Sequence, residues 1–336
     1  MSKNPPPHWL DRLVGHAFSL GSKLFERGWG DESLIDRARA EGWGFWPRAA
    51  PIDIVWSEQP AQGATIHDGV FRSPLADALP RESANAYVRR LSPDSSGGPA
   101  VVMFAASGDQ GFAWREKLTR PLVQLGVHVV LLENPLYGLR RPAAQRGSRV
   151  STVSELMVMN RAAVEEARSL LALLRSQGHS PVGVAGFSMG GYMASLTATQ
   201  VSEPIGVAAM AVGRSAAPIY TTGMLSLSVD WKALARTTGG ELQARARLAN
   251  LFHSGDLDRL PLPKYPEAAI VLSCMNDGYV EPAESAVLHQ HWKGSELRHV
   301  PTGHAGATFQ HLSALRQVIL DSLERASKFR QAPVSG

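Results

Sequence analysis

The hydrophobic rhythm of the chain changes twice. Trp9, Leu10, Leu13, Val14, Ala17, Phe18, Leu20, Leu24 and Phe25 recur at helical spacing, with Asp11, Arg12, His16, Ser19, Lys23 and Glu26 between them. This pattern predicts an amphipathic helix packed on the main domain; the alternative is peripheral contact with a membrane surface. Helical spacing resumes in DESLIDRARAEGWG and stops at Gly42 and Gly44, before Pro47 and Pro51. Residues 1–50 therefore read as a helical extension, and residues 51–330 as the main domain.

From Ile52 the period shortens to two. The segments IDIVW, TIHDGVFRSP and ANAYVRRLSP alternate and are punctuated by Pro, Gly and Ser, which predicts antiparallel strands opening a sheet. After the loop SPDSSGGP the runs become uniformly apolar: Ala100 to Ala105, His128 to Glu133, Val182 to Phe187, Ile205 to Val212, Ala268 to Ser273, and Glu296 to Val300. Helical segments separate them, at 114–126, 154–178, 189–200, 282–294 and 307–329. Buried strands alternating with helices predict an α/β fold around a mostly parallel sheet. One connection is long: about 55 residues lie between Val212 and Ala268. Residues 213–266 read as a mostly helical cap over the carboxyl edge of the sheet, where open α/β sheets bind ligands.

Composition narrows the class. The 336 residues are 44% hydrophobic and 19% charged, typical of a packed globular protein. The net charge of +4 is spread without basic runs or an aromatic ladder, so no nucleic-acid partner is expected. Cys274 is the single cysteine, which excludes an internal disulfide and a cysteine-based zinc site. No cofactor or metal is expected. The N-terminus lacks a signal-peptide pattern and no run is long enough to span a bilayer, so the expected location is cytoplasmic, with peripheral membrane association the one addition. Oligomeric state is not encoded legibly.

Candidate chemistry centres on Gly186-Phe187-Ser188-Met189-Gly190, a G-x-S-x-G pattern between an apolar strand and a helix. In that setting the serine sits on a sharp turn as a nucleophile; the alternative is a polar residue in a Gly-rich bend. A serine hydroxyl needs a base oriented by a carboxylate, and in α/β folds these follow in the order Ser, acid, His on loops after later strands. Asp277 follows the run ending at Ser273, and His304 follows the last strand. Asp230, Asp256, Asp258, His289, His291 and His311 lie in the insertion or within helices, away from strand ends. For the oxyanion, Met189 is expected to supply one backbone donor, and Ser107, Gly108 or Asp109 in SGDQGF another. The Asp109 carboxylate is expected to point away, toward a helix N-terminus. Tyr137, Phe112 and Trp231 are candidate substrate-lining residues; Tyr137 and Arg140, in ENPLYGLRRP at the carboxyl edge, could line the site, with a structural turn the preferred reading. Cys274 reads as a buried small hydrophobe.

Together with KLFERGWG, DGVFRSP, SGDQGFAWR, LLENPLYGLRRP, GFSMGGYMASL and TTGMLSLSVDW, these residues resemble the α/β-hydrolase superfamily, and within it the alpha/beta hydrolase domain-containing protein 18 family. The resemblance implies an α/β-hydrolase fold with an eight-stranded sheet, a serine hydrolase activity of undefined substrate, and Ser188, Asp277 and His304 at the positions of a triad. The 106–111 loop departs from the His-Gly motif common in lipases. The expected reaction is hydrolysis of a small-molecule or lipid carboxylic ester through an acyl-Ser188 intermediate. An acyltransferase using the same triad and a non-catalytic binding protein are the alternatives.

Overall fold

The computed structural model describes residues 7–19, 21, 23–42, 48–61 and 64–329. Leu20, Gly44 and Pro47 of the expected N-terminal pattern lie outside these residues, as do the side chains of Ala17, Phe18 and Ser19.

Strands β1 (Val55–Ala61), β2 (Ala64–Arg72), β3 (Asn85–Ser92), β4 (Gly98–Phe104), β5 (His128–Leu132), β6 (His179–Phe187), β7 (Gly206–Met210), β8 (Ala269–Cys274) and β9 (Glu296–Val300) form one sheet. Its spatial order is β1-β2-β3-β5-β4-β6-β7-β8-β9, antiparallel through β3 and parallel among β4 to β9. The sheet has nine strands among the described residues, not the eight that the family resemblance implies. The difference is β1, which pairs only with β2 as an edge hairpin.

The helices are α1 (Trp9–Ser19), α2 (Glu32–Glu41), α3 (Ala113–Val123), α4 (Val153–Ser176), α5 (Met189–Thr199), α6 (Ala217–Thr221), α7 (Trp231–Ala235), α8 (Glu241–Phe252), α9 (Pro282–His291), α10 (His304–Gln310) and α11 (Leu312–Ser327). Consecutive strand residues serve opposite layers. In β4, Ala100, Val102 and Phe104 pack with Met159, Ala163 and Met193 of α4 and α5, whereas Val101 and Met103 pack with Leu118, Leu122 and Val318 of α3 and α11. Because both faces are dry, the central strands carry no polar alternation. Each of the Val, Leu, Met and Phe side chains contributes about 1.5–3 kcal/mol when fully buried.

Two elements depart from their sequence reading. The expected helix over 307–329 is two helices broken at His311, and α10 begins at His304. Helix α1 is rotated: Trp9 and Leu13 are 66% and 59% exposed, while Asp11 and Gly15 are buried. A Cβ at Gly15 would fall 2.7 Å from Met224 Cε, so the helix lies close against the turn Met224–Ser228. It also touches α10. Further along, the Trp29 indole donates to Leu234 O at 3.0 Å beneath the Arg247 guanidinium, tying the N-terminal segment to α7 and α8. Segment 213–266 carries α6, α7 and α8, and Ile219 and Leu225 from it reach the carboxyl edge of the sheet. Among the described residues no helix is long and apolar enough to cross a membrane.

Candidate active site

Phe187 ends β6 and Met189 begins α5, so the reversal falls on Ser188 alone, at φ 56° and ψ −123°. A positive φ outside glycine costs on the order of 1–3 kcal/mol and persists only where neighbours enforce it. Here they do. The Ser188 amide donates to Met210 O at 2.8 Å, and the glycines let the helix start lie against the strands. A Cβ at Gly186 would sit 2.2 Å from the Gly190 carbonyl, one at Gly190 2.9 Å from Phe104 O, and one at Gly191 2.7 Å from Met210 O. The pattern is thus a steric requirement of a strand and helix joined by one residue.

Ser188 lies between two cavities. One, of about 260 Å³, has Val14, Phe187, Ile219, Leu225 and Phe309 as apolar walls and His304 on its rim. The other, of about 40 Å³, is narrow and is lined by Ser107, Met189, Tyr192, Tyr220 and Val280. Among the described residues no group of three or more His, Cys, Asp or Glu could hold a metal ion.

Asp277 and His304 come together beside this serine. The His304 Nδ1 lies 2.7 Å from Asp277 Oδ2, and Asp277 Oδ1 accepts the Tyr279 and Val280 amides at 2.8 and 2.9 Å. The carboxylate is therefore fully engaged, with its side chain 1% exposed. The imidazole is flanked by the rings of Phe187 and Tyr279, at centroid distances of 4.9 and 5.0 Å. Burial opposes a charged ring, but the charge and hydrogen bond of Asp277, with the charge of Asp11, outweigh it and raise the His304 pKa. Ser188 and His304 share the larger cavity without a direct hydrogen bond, a contact that in unliganded sites often closes only when substrate binds.

In the 106–111 loop the three candidate donors are not equivalent. The Asp109 amide donates to Ala106 O at 3.1 Å, and the Gly108 amide to the Tyr137 hydroxyl at 3.4 Å. Among the described residues, the Ser107 and Met189 amides meet no acceptor, and both residues line the narrow cavity with Ser188. The Asp109 carboxylate does point away, but to the Arg115 guanidinium at 2.7 Å rather than to helix amides.

The three substrate-lining candidates sit elsewhere. Tyr137 is buried and supports the loop through its hydroxyl, so it lies behind the cavity wall. Phe112 precedes α3 with the Arg89 and Arg115 guanidiniums 5.1 and 5.5 Å from its ring. Trp231 is buried in the insertion, donates to Ser226 O at 3.0 Å, and lies under the Arg245 guanidinium. Neither Phe112 nor Trp231 lines a cavity that holds Ser188. Large aromatics near a strand end are as suited to packing as to substrate contact, and here packing takes them.

Arg140 takes the structural role. It is fully buried and forks onto Glu166 at 2.7 and 2.8 Å while donating to Glu133 O and Ser83 O. Four of the other acids and histidines are engaged away from Ser188: Asp230 caps α7, Asp256 meets His253 at 2.7 Å, Asp258 meets Arg214 at 3.2 Å, and His289 meets Ser295 at 3.0 Å. Cys274 is buried in β8, where desolvation and the nearby Asp277 and Asp11 push its thiol up.

Sequence reasoning missed Asp11. It lies fully buried on α1, where its Oδ2 accepts the Gly278 amide at 2.9 Å and the His304 amide at 2.8 Å, and its Oδ1 the Ala305 amide at 2.8 Å. These partners are 267, 293 and 294 residues away, so no local pattern announces them.

A mixed sheet with crossover helices, one serine on a strand-to-helix elbow and an Asp–His pair at the ends of two later strands define the α/β-hydrolase fold. Within that class, the family model described as "Alpha/beta hydrolase domain containing 18" matches residues 22–241 and 235–325, and the chain belongs to that family. Among solved structures, acetyl xylan esterase 1 from Thermoanaerobacterium sp. JW/SL YS485 is similar at 15% identity and TM-score 0.59, covering 92% of this chain and 98% of that one. An acetyl xylan esterase from Paenibacillus sp. R4 is similar at 14% identity and TM-score 0.54, covering 90% and 98%. The esterase Est22 is similar at 15% identity and TM-score 0.52, covering 96% and 98%. At these identities the likeness concerns the fold.

Proposed function

We propose that the protein is a serine hydrolase that cleaves a carboxylic ester carrying an apolar group, through an acyl-Ser188 intermediate. One observation carries the reading: a serine held at positive φ opens into the same cleft as a histidine whose Nδ1 is bound by a buried carboxylate. In the proposed reaction the Ser188 hydroxyl attacks the ester carbonyl while His304, held through Nδ1, takes the proton on Nε2. Asp277 fixes the tautomer and stabilises the imidazolium. The tetrahedral oxyanion is received by the Met189 and Ser107 amides, each donor of this kind being worth about 3 kcal/mol of barrier. His304 then returns the proton to the departing alkoxide, and water, activated the same way, releases the acid and frees Ser188.

The apolar walls of the larger cavity support an apolar substrate group, including the acyl chain of a lipid ester. The test is turnover of p-nitrophenyl esters of graded acyl length by wild type, Ser188→Ala and His304→Ala. Turnover by wild type that both variants lose by at least about 10³-fold supports the reading. Equal turnover by Ser188→Ala contradicts it. Added alcohols or lysolipids that capture the acyl group in place of water would reassign the enzyme to acyl transfer.

A further inference from the structure

We propose that Asp11, on the N-terminal helix, is a positioning residue of the active site: it clamps the Asp277 loop to the start of the His304 helix and adds a second carboxylate beside the imidazole. The inference rests on the serine-hydrolase reading and concerns a residue outside both the Ser–His–Asp set and the stretch matched by the family model, which begins at residue 22.

Asp277 and His304 belong to different loops, after β8 and β9, and their 2.7 Å contact requires those loops to keep a fixed separation. The Asp11 carboxylate spans them. One oxygen is shared between the Gly278 amide, next to Asp277, and the His304 amide itself; the other takes Ala305 N. The same group thereby satisfies two orphan donors at the N-terminus of α10, where a negative charge is also favoured by the helix dipole. The fit is close: a Cβ at Gly303 would fall 2.6 Å from Asp11 Oδ2. A backbone bond from His8 N to Asn276 O at 2.9 Å adds a further tie between the chain before α1 and the acid loop.

A purely structural cap and an electrostatic positioner differ in what they do to the imidazole. The groups facing His304 are Asp277 and Tyr279 from the loop after β8, the Phe187 ring from the elbow, and Asp11 from α1; Cys274, with its raised thiol, lies at the end of β8. Tyr279 is pushed up to about 12 by burial and by Asp11 and Asp277, and so remains neutral. Asp11 and Asp277 are then the two charges that stabilise imidazolium. Removing the Asp11 charge lowers the His304 pKa, so the base form persists to lower pH and the acid limb of the rate profile moves down.

The experiment is the second-order rate of labelling by a fluorophosphonate between pH 5 and 9, on wild type, Asp11→Asn, Asp11→Ala and Trp9→Ala, with thermal melts of each. Trp9 is on the same helix but exposed, and its variant should match wild type. Asp11→Asn, which keeps the shape, should label about 10- to 100-fold more slowly with its acid limb shifted to lower pH, and Asp11→Ala at least as slowly. Wild-type labelling with an unchanged rate and limb in Asp11→Asn overturns the proposal. So does a rate loss that follows a lowered melting temperature with the limb unmoved, or failure of both variants to fold, since each leaves Asp11 a structural role alone. If folded wild type fails to label, the serine-hydrolase reading falls first, and this one with it.

Discussion

Replacing Asp277 by Asn tests how the acid carboxylate governs the histidine. Oδ1 of Asp277 receives two backbone N–H groups, from Tyr279 and Val280, at 2.8 and 2.9 Å. In Asp277→Asn the amide oxygen must keep that place, because the alternative sets an NH2 group against two donors, one buried and one half-buried. Leaving two such donors unpaired costs about 2–6 kcal/mol. The Asn NH2 then occupies the position 2.7 Å from His304 Nδ1. A donor there makes Nδ1 an acceptor and leaves the proton on Nε2, so the ring cannot accept one from Ser188. The active tautomer is reached only by the costly flip, which at about 1.36 kcal/mol per decade corresponds to a loss of roughly 10²–10⁴. Loss of the charge that supports imidazolium places the expectation toward the upper end, near 10³–10⁴. The assay is ester turnover, with fluorophosphonate labelling as a check and a thermal melt to establish folding. A folded Asp277→Asn protein within about tenfold of wild type would show that Asp277 does not govern the His304 tautomer.

Two further outcomes follow from the same contacts. Because His304 is raised above its ordinary value of 6.5 and must be neutral to act as base, kcat/KM should fall as pH drops through a midpoint above that value; a limb centred below it contradicts the electrostatic assignment. Arg140→Met leaves the Glu166 carboxylate buried with Ser73 as its remaining side-chain donor, so denaturant unfolding should show a loss of about 3–5 kcal/mol, whereas Arg140→Met with Glu166→Leu should recover much of it. A double variant no more stable than the single one would mean that the uncompensated charge is not the cause.

Much of the fold was legible because its signals are local. Runs such as Ala100 to Phe104 are apolar at every position since alternate residues face different helical layers, and that pattern distinguishes a covered parallel strand without reference to anything distant. The elbow was legible for the same reason: Gly186, Gly190 and Gly191 answer clashes among residues close in sequence or on adjoining strands. Asp277 and His304 could be read as candidates because they follow strand ends, and the structure brings their side chains to 2.7 Å. The loop proposed to receive the oxyanion could be read only to the nearest few residues, as the choice among Ser107, Gly108 and Asp109 depends on which amides Tyr137 and Ala106 take up. Phe112 and Trp231 pack against guanidiniums and, for Trp231, a backbone carbonyl, partners that the sequence of an aromatic residue does not announce. Helix α1 was read as an apolar stripe packed on the main domain, yet three backbone amides bound by Asp11 and the close approach at Gly15 go with Trp9 and Leu13 facing outward. A buried carboxylate can override a hydrophobic stripe when its donors lie on distant loops.

In the proposed reaction Ser188 is a nucleophile activated by His304. The most direct test is to treat the folded protein with a fluorophosphonate, digest it and locate the adduct by mass spectrometry. One phosphonylated serine is expected, in the peptide containing GFSMGG, formed in wild type, absent in Ser188→Ala and strongly slowed in His304→Ala. An unmodified Ser188 in folded wild-type protein, or an adduct formed equally fast without His304, would contradict that reaction.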